Sequence, residues 1–205
     1  MKLFHAPNSS SQPVYIMINE LGLKCEILPV DFANRTELLK FNPRGQVPTL
    51  VLDNGQVLTE TAVIMQYLAD LKPEMNFLPK AGTWERYKAI ESVNFVATEL
   101  HRGLGMMFNK EMPETAKTIM KTDLLKRFDF LNTHLGKNQF LAANQYTIAD
   151  AYCFSIVNWT KWVGIDMAQY PNILGYSERI GTRPAVMTTI KADAKVDMTK
   201  TDMTV

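Results

Sequence analysis

The chain has 205 residues, of which 46% are hydrophobic and 21% charged, a composition typical of a globular protein with one sizeable core or two smaller ones. Its 22 basic and 21 acidic residues are spread along the sequence and leave a formal net charge of +1, so nucleic acid is not an expected partner. Cys25 and Cys153 lie outside any CxxC or Cys/His cluster, so neither a metal site nor a disulfide framework is expected. Because Met1–His5 is too short for a signal peptide and no apolar run reaches the ~20 residues of a membrane span, we expect a cytoplasmic protein without membrane contact.

Short apolar runs alternate with helical segments over residues 1–78, a pattern typical of an α/β fold with crossover helices. Strands are predicted at 2–5, 25–30, 49–52 and 56–58, and helices at 11–21, 36–41 and from 59 or 60 to 71. Gly22 and the Pro43–Gly45 turn are typical of helix ends, and the Asn54–Gly55 pair between the last two strands predicts a β-hairpin. The predicted order is therefore βαβαββα.

The second half of the chain shows only helical patterns. Residues 79–83, with Pro79 and Gly82, are predicted to form a linker. Helical spacing or helix-starting prolines predict helices at 84–108, 113–135, 147–164, 171–181 and 184–194. Thr147 and Asp150 can satisfy backbone N–H groups at the start of the third of these helices, which should run through the core. Residues 195–205 lack a period, and we expect them to be mobile or loosely docked.

Several short motifs, considered together with this element order, are specific enough to indicate a family. They are Met1–Phe4, Asn42–Pro48, Leu58–Asp70, Ala97–His101 and Tyr146–Tyr152. In these motifs the chain resembles the glutathione S-transferase family, and it resembles the bacterial beta class over nearly its whole length.

The resemblance implies the glutathione S-transferase fold, α/β plus all-α. A thioredoxin-like glutathione-binding domain is expected over residues 1–78, a linker over 79–83 and an all-helical domain over 84–205. It also implies a homodimer, with glutathione bound as co-substrate in the cleft between the two domains.

The Gln46-Val47-Pro48 segment resembles the cis-proline turn of the family. There, the main chain of the residue before proline pairs with the cysteinyl part of glutathione like an added strand, so Val47 and its neighbour Gln46 are predicted to bind glutathione. The alternative is an ordinary trans proline at the start of an edge strand, since only about 5% of X–Pro bonds are cis. The resemblance favours the cis bond.

Two further groups of the first domain are candidate ligands for the carboxylates of glutathione. Glu60 and Thr61 lie where a strand gives way to a helix, and by resemblance the N–H groups there receive the γ-glutamyl end. The alternative is that Thr59 to Thr61 only cap the helix, and both roles can coexist. Arg35 either reaches the glycyl carboxylate or is a solvated surface arginine.

In the second domain, Asn94, Thr98 and His101 recur at helical spacing, on the face that looks onto the cleft in the family. His101 is interpreted as a ligand contact, the alternative being a packing histidine without a catalytic role. Apolar residues that follow along the chain are candidates for the wall of an electrophile pocket, or else for core. They are Met106, Met107, Phe108 and Trp162.

The start of the first helix carries Ser9-Ser10-Ser11, where a thiolate gains from hydroxyl and N–H donors and from the helix dipole. By resemblance Ser10 replaces the cysteine of the beta class and His5 replaces a tyrosine. Ser10, Ser11 and His5 are therefore the catalytic candidates. The alternatives are a polar turn with a capping serine, and an inert histidine lining the cleft. Without a cysteine here, no mixed disulfide with glutathione can form.

The leading hypothesis is a glutathione transferase that stabilises the glutathione thiolate for attack on a small hydrophobic electrophile, as in detoxification, without a metal. One alternative is a non-catalytic binding or regulatory protein that kept the fold, motivated by the changes at Ser10 and His5. Another is a glutathione-dependent isomerase or peroxidase, which uses the same thiolate.

Overall fold

The computed structural model describes residues Met1–Val196, which form two compact units. The first comprises Met1–Met75 together with the segment that begins at Arg183, and the second comprises Asn76–Thr182. The tail predicted to be mobile or loosely docked comprises residues 195–205. From residue 197 on, it lies outside the described residues. None of the helices within residues 1–196 combines the length and apolar character needed to cross a lipid bilayer.

The first unit contains a four-stranded sheet among its described residues, in the order β2-β1-β3-β4. Its elements along the chain are β1 (Lys2–His5), α1 (Gln12–Glu20), β2 (Glu26–Pro29), α2 (Thr36–Leu39), β3 (Thr49–Val51), β4 (Val57–Thr59) and α3 (Thr61–Leu71). Strand β1 pairs in parallel with β2 and antiparallel with β3, and β3 and β4 form the predicted hairpin. The βαβαββα order predicted from the sequence is confirmed.

Apolar side chains from α1 and α3 pack together beside this sheet. Ile16 and Met17 on α1, and Ile64 and Met65 on α3, are fully buried. A separate apolar cluster unites strands and α2; its buried members are Phe4, Val30, Leu38 and Val51. The packing fixes the starts of α1 and α3 relative to the strand ends that precede them.

The second unit is helical. Its elements are α4 (Trp84–Phe95), a π-helical segment (Val96–His101), α5 (Arg102–Met107), α6 (Glu114–Leu135), α7 (Ile148–Val157), a 3-10 helix (Asn158–Trp162) and α8 (Pro171–Gly181). The sequence predicted one uninterrupted helix over 84–108, whereas the structure inserts the wider π turns between α4 and α5. Every residue of α7 is buried, and Thr147 and Asp150 form the predicted capping box at its start.

The last described helix, α9 (Pro184–Asp193), packs against α1 of the first unit. The sequence predicted that this segment belongs to the helical domain of residues 84–205. The difference has a physical reason, since polar pairs such as Asn19 Nδ2 to Thr189 Oγ1 (2.9 Å) join the two helices, and the periodicity of a helix does not reveal which surface covers it.

Candidate functional site

Ser10 lies in the loop between β1 and α1, where three segments of the first unit converge. Its Oγ donates a hydrogen bond to the carbonyl oxygen of Val47 at 2.8 Å. Its own carbonyl accepts one from Thr61 Oγ1, also at 2.8 Å. The start of α1, the turn before β3 and the start of α3 are thereby tied together at one partly buried serine.

The Val47–Pro48 bond is cis, as the resemblance predicted. Asn42, only 3% exposed, braces this turn, since its Nδ2 donates to Gln46 O (3.0 Å) and to Thr49 Oγ1 (3.0 Å). The Gln46 side chain itself is exposed. No role at the site was predicted for Asn42; its place three residues before Gly45, at the start of a turn-forming Asn-Pro-Arg-Gly run, was the available signal.

A residue with strained backbone immediately precedes helix α3. Glu60 has φ 69°, a value rare for residues with a side chain, and its side chain makes no capping bond to the helix. The Glu60 carboxylate instead accepts from Arg44 NH2 at 2.9 Å. Thr61 is buried, and its hydroxyl donates its single proton in a hydrogen bond to Ser10 O. The side chains of Glu60 and Thr61 therefore make no capping bond to the backbone N–H groups at the start of α3.

Ser11 and His5 are buried and hydrogen-bonded to each other. Their side chains meet at 2.8 Å, Ser11 Oγ to His5 Nδ1, and they are 0% and 2% exposed. The opposite nitrogen, His5 Nε2, lies 2.8 Å from Asp193 Oδ1. Neither side chain can reach a bound thiol or line its site in this arrangement, which corrects the expectation of a direct catalytic role for both. Ser11 also makes no side-chain capping bond to α1.

Arg35 fastens two loops of the first unit. Its Nε donates to Phe32 O (3.1 Å) and its NH1 to Gly45 O (3.2 Å), while the guanidinium lies 4.7 Å from the centre of the Phe32 ring. These contacts hold the partly buried side chain to the protein and speak against a freely solvated arginine, while contact with the glycyl carboxylate stays a prediction. The sequence missed this role, since both oxygen acceptors belong to the main chain.

The candidates of the second unit fall into two environments. Asn94 and Thr98 are exposed, and Thr98 Oγ1 donates to Asn94 O at 3.0 Å. His101 ends the π-helical segment, with its Nδ1 2.6 Å from the hydroxyl of Tyr152 and its ring edge-on to Trp159. The wider π turn changes the spacing from which a common face was predicted, and such turns are frequent at functional sites. Neither aromatic partner was predicted.

The four apolar candidates are unequally exposed. Met106 and Trp162 are 39% and 41% exposed, and Met107 and Phe108 are partly buried. The Phe108 ring packs edge-on against Trp159 with centroids 5.6 Å apart. Met106 and Trp162 thus offer apolar surface, while Phe108 belongs to an aromatic cluster.

Neither cysteine is disposed to become a thiolate. Burial raises the pKa of the Cys25 thiol to about 11, and full burial raises the pKa of Cys153 as well. Within the described part of the chain, no three His, Cys, Asp or Glu side chains are grouped as a metal site would require. Thiol chemistry at this site therefore needs a thiol from a ligand.

Comparison with known proteins gives consistent matches along the chain. The family model "Glutathione S-transferase, N-terminal domain" matches residues 9–71, and "Glutathione S-transferase, C-terminal domain" matches residues 95–184. Glutathione S-transferase GstA of Escherichia coli O157:H7 is 35% identical over 198 residues, with 94% of this chain and 98% of the relative covered.

Two solved structures are similar over the same extent. The bacterial beta class glutathione S-transferase of Sphingomonas chungbukensis is 35% identical with a TM-score of 0.91, and 96% of this chain and 100% of that chain are covered. A sphingomonad glutathione S-transferase complexed with glutathione is 33% identical with a TM-score of 0.92 and the same coverage.

Proposed function

The chain belongs to the glutathione S-transferase family, and we propose that it binds glutathione along the Val47–Pro48 turn and the start of α3 and activates the glutathione thiol beside Ser10. It is a glutathione transferase by its similarity to proteins of that name. The observation that supports this site is the convergence of Ser10, Val47 and Thr61 through two hydrogen bonds of 2.8 Å.

The cysteinyl and γ-glutamyl parts of a glutathione molecule each find a suitable partner in the first unit. The main chain of Val47 can pair with the peptide-like cysteinyl part, because a carbonyl oxygen accepts two hydrogen bonds and Ser10 uses one. The γ-glutamyl carboxylate is assigned to the backbone N–H groups at the start of α3, where the helix dipole favours an anion. The Thr61 hydroxyl, which holds Ser10, acts here as a positioning group.

The free energy that Ser10 and the start of α1 can contribute is comparable to what is needed to ionise a bound thiol. Lowering the pKa of a thiol by about two units requires about 2.7 kcal/mol of preference for the thiolate. A hydrogen bond to a charged group contributes about 1.5–3 kcal/mol, and the end of a helix about 0.3–1 kcal/mol. One hydroxyl at the start of α1 therefore supplies most of the required amount once it turns from Val47 O towards the sulfur.

The proposed reaction is conjugation. The glutathione thiolate attacks an electrophilic carbon, an S–C bond forms, and the leaving group departs with its electron pair. A hydrophobic electrophile would use apolar surface such as that of Met106 and Trp162. Asn94, Thr98 and His101 stay candidate glutathione ligands.

Thiol–disulfide exchange through the protein is not proposed, because burial disfavours the thiolates of Cys25 and Cys153. The cytoplasm stays the expected location of the protein.

A two-fold homodimer completes the proposal. Exposed apolar side chains in both units support it, among them Val63 and Leu71 on α3 and Trp84 and Tyr87 on α4. Static light scattering at micromolar concentration should give twice the mass of 23.3 kDa. A mass of one chain would refute the dimer.

The decisive experiment combines isothermal titration with reduced glutathione and a conjugation assay with a chloronitrobenzene, from which chloride is displaced. Wild type should bind and turn over, and Ser10→Ala should lower kcat/KM about tenfold to a hundredfold. Thr122→Ala, an exposed hydroxyl on α6, serves as the matched control and should leave both unchanged. Absence of binding would refute the proposal.

A second function, glutathione binding without catalysis, is favoured by one observation: the Ser10 hydroxyl is already engaged by Val47 O. Binding in the titration without turnover of any electrophile in a panel would select it. Conjugation would exclude it, and product analysis would separate transferase from isomerase or peroxidase activity.

A further inference from the structure

Helix α9 lies antiparallel along α1 and is fastened to it at both ends. Arg183, immediately before α9, forms a two-bond ion pair with Glu20 at the end of α1, with distances of 2.5 and 3.0 Å. At the opposite end, Asp193 meets Gln12, the first residue of α1, where Gln12 Nε2 donates to Asp193 Oδ2 at 2.7 Å. The last residue of α9 therefore lies beside the first residue of α1, two positions after Ser10 in the sequence.

The Asp193 carboxylate is buried, 5% exposed, and both of its oxygens are used. Its Oδ2 accepts from Gln12 and its Oδ1 lies 2.8 Å from His5 Nε2. A carboxylate only accepts hydrogen bonds, so the proton between His5 and Asp193 lies on Nε2. The other ring nitrogen, Nδ1, lies 2.8 Å from Ser11 Oγ and shares a hydrogen bond with it. The imidazole thus links Asp193 to a serine that the aspartate does not touch.

From Ser11 the chain of hydrogen bonds continues into the loop that carries Ser10. Ser11 Oγ accepts from Ala6 N at 3.0 Å and lies 2.7 Å from Ser9 Oγ. Ser9 Oγ donates to Ala6 O at 2.7 Å and accepts from Ser11 N at 3.1 Å. Both sequence neighbours of Ser10 are therefore locked by their side chains. The Ser10 hydroxyl is the one directed to Val47.

A Ser–His–Asp series also suggests a nucleophile, but Ser11 is 0% exposed and no substrate can reach it. The series can act only by holding backbone. We propose that Asp193, through His5 and Ser11, is a positioning residue that fixes the Ser9–Ser11 loop so that the Ser10 hydroxyl meets the glutathione thiol. This inference rests on the proposed function for its consequence in catalysis. Its structural part, the ordering of the loop, stands independently. Asp193 lies beyond residue 184, where the family-model match ends.

Hydrogen exchange on the glutathione-free protein tests the structural part. In Asp193→Ala the amides of Ala6 and Ser11, whose acceptors are the Ser11 and Ser9 hydroxyls, should exchange about tenfold or more faster. The control is Thr189→Val, a near-isosteric change that also loosens α9 from α1 but touches neither His5 nor Gln12. It should leave these two amides unchanged. Equal exchange of both amides in wild type and Asp193→Ala would overturn the proposal.

The catalytic part is read from the absorbance of the bound thiolate as a function of pH. Asp193→Ala should raise the apparent pKa of enzyme-bound glutathione by about one and lower kcat/KM about tenfold at neutral pH, unlike Thr189→Val. Asp193→Asn, which keeps an acceptor for His5, should restore most of both. If Asp193→Ala does not fold, His5→Phe removes the same chain and should give the same exchange and pKa changes. If the wild-type protein binds no glutathione, the proposed function is refuted. Hydrogen exchange on the glutathione-free protein still tests whether Asp193 positions the Ser9–Ser11 loop.

Discussion

The Thr61 hydroxyl donates to the carbonyl oxygen of Ser10 at 2.8 Å, and this bond joins the start of α3 to the start of α1. The two helix starts are assigned to two different parts of the glutathione molecule, the start of α3 to the γ-glutamyl carboxylate and the start of α1 to the cysteinyl thiol. Their separation is therefore set by a side chain that need not touch the ligand. If the Thr61 hydroxyl positions Ser10, substitutions of Thr61 have a different expected effect than if this hydroxyl binds the γ-glutamyl carboxylate directly.

Thr61→Val keeps the shape of the side chain and removes the donor, and it should weaken glutathione binding about fivefold, since a hydrogen bond contributes about 1 kcal/mol. Thr61→Ser keeps the hydroxyl and should bind as wild type. Isothermal titration of both variants measures the effect. Equal affinity of Thr61→Val and wild type would show that the Thr61–Ser10 bond does not organise the site.

Ser10→Cys should convert the chemistry at the start of α1. A thiolate is stabilised there by the helix dipole, and it would attack oxidised glutathione, forming a protein–glutathione disulfide and releasing one reduced glutathione. Intact-mass measurement should show one adduct on the variant and none on wild type, whose Cys25 has a pKa raised to about 11. An adduct on wild type would contradict the assignment.

Substitutions of Arg35 distinguish a structural role, in which its hydrogen bonds hold two loops together, from an electrostatic contact with glutathione. If its role is to hold Gly45 O and Phe32 O, both Arg35→Ala and Arg35→Lys should raise KM for glutathione several-fold with kcat nearly unchanged, because a lysine cannot reproduce the two bonds. Steady-state kinetics with varied glutathione gives both constants. Full activity of Arg35→Lys would instead support a contact between the positive charge and the glycyl carboxylate.

Asp150 provides a pH test of the second unit. Burial raises the pKa of its carboxyl to about 6 from 3.8. Between these values the unfolded chain has lost the proton and the folded chain retains it, so stability falls as pH rises through this window. Relative to Asp150→Asn, wild type should lose about 3 kcal/mol of unfolding free energy in total as pH rises, of which about 2 kcal/mol falls between pH 3.8 and 6. Urea unfolding across this range measures the difference, and a constant gap would contradict the raised pKa.

The sequence predicted the elements whose local chemistry decides their form. Alternating apolar runs and the Asn54–Gly55 pair predict the hairpin. Gly55 lies in its turn with a φ of 82°, a positive value that glycine adopts readily. The π-helical turn before His101 was not predicted, because the apolar spacing of Val96 and Leu100 suits an α-helix equally well. At the site, the motif residues Ser10 and Val47 were predicted and do meet. Asp193 was not, since it contacts His5 across 188 positions of sequence.

The placement of α9 has a consequence for how the protein is made. The first unit is assembled from residues at both ends of the described chain, with the whole second unit inserted between them. A nascent chain that has emerged only as far as Met75 lacks the helix that covers α1 and the carboxylate that holds His5. Domains generally fold during synthesis from the N-terminus, but this one stays unfinished until Asp193 has left the ribosome.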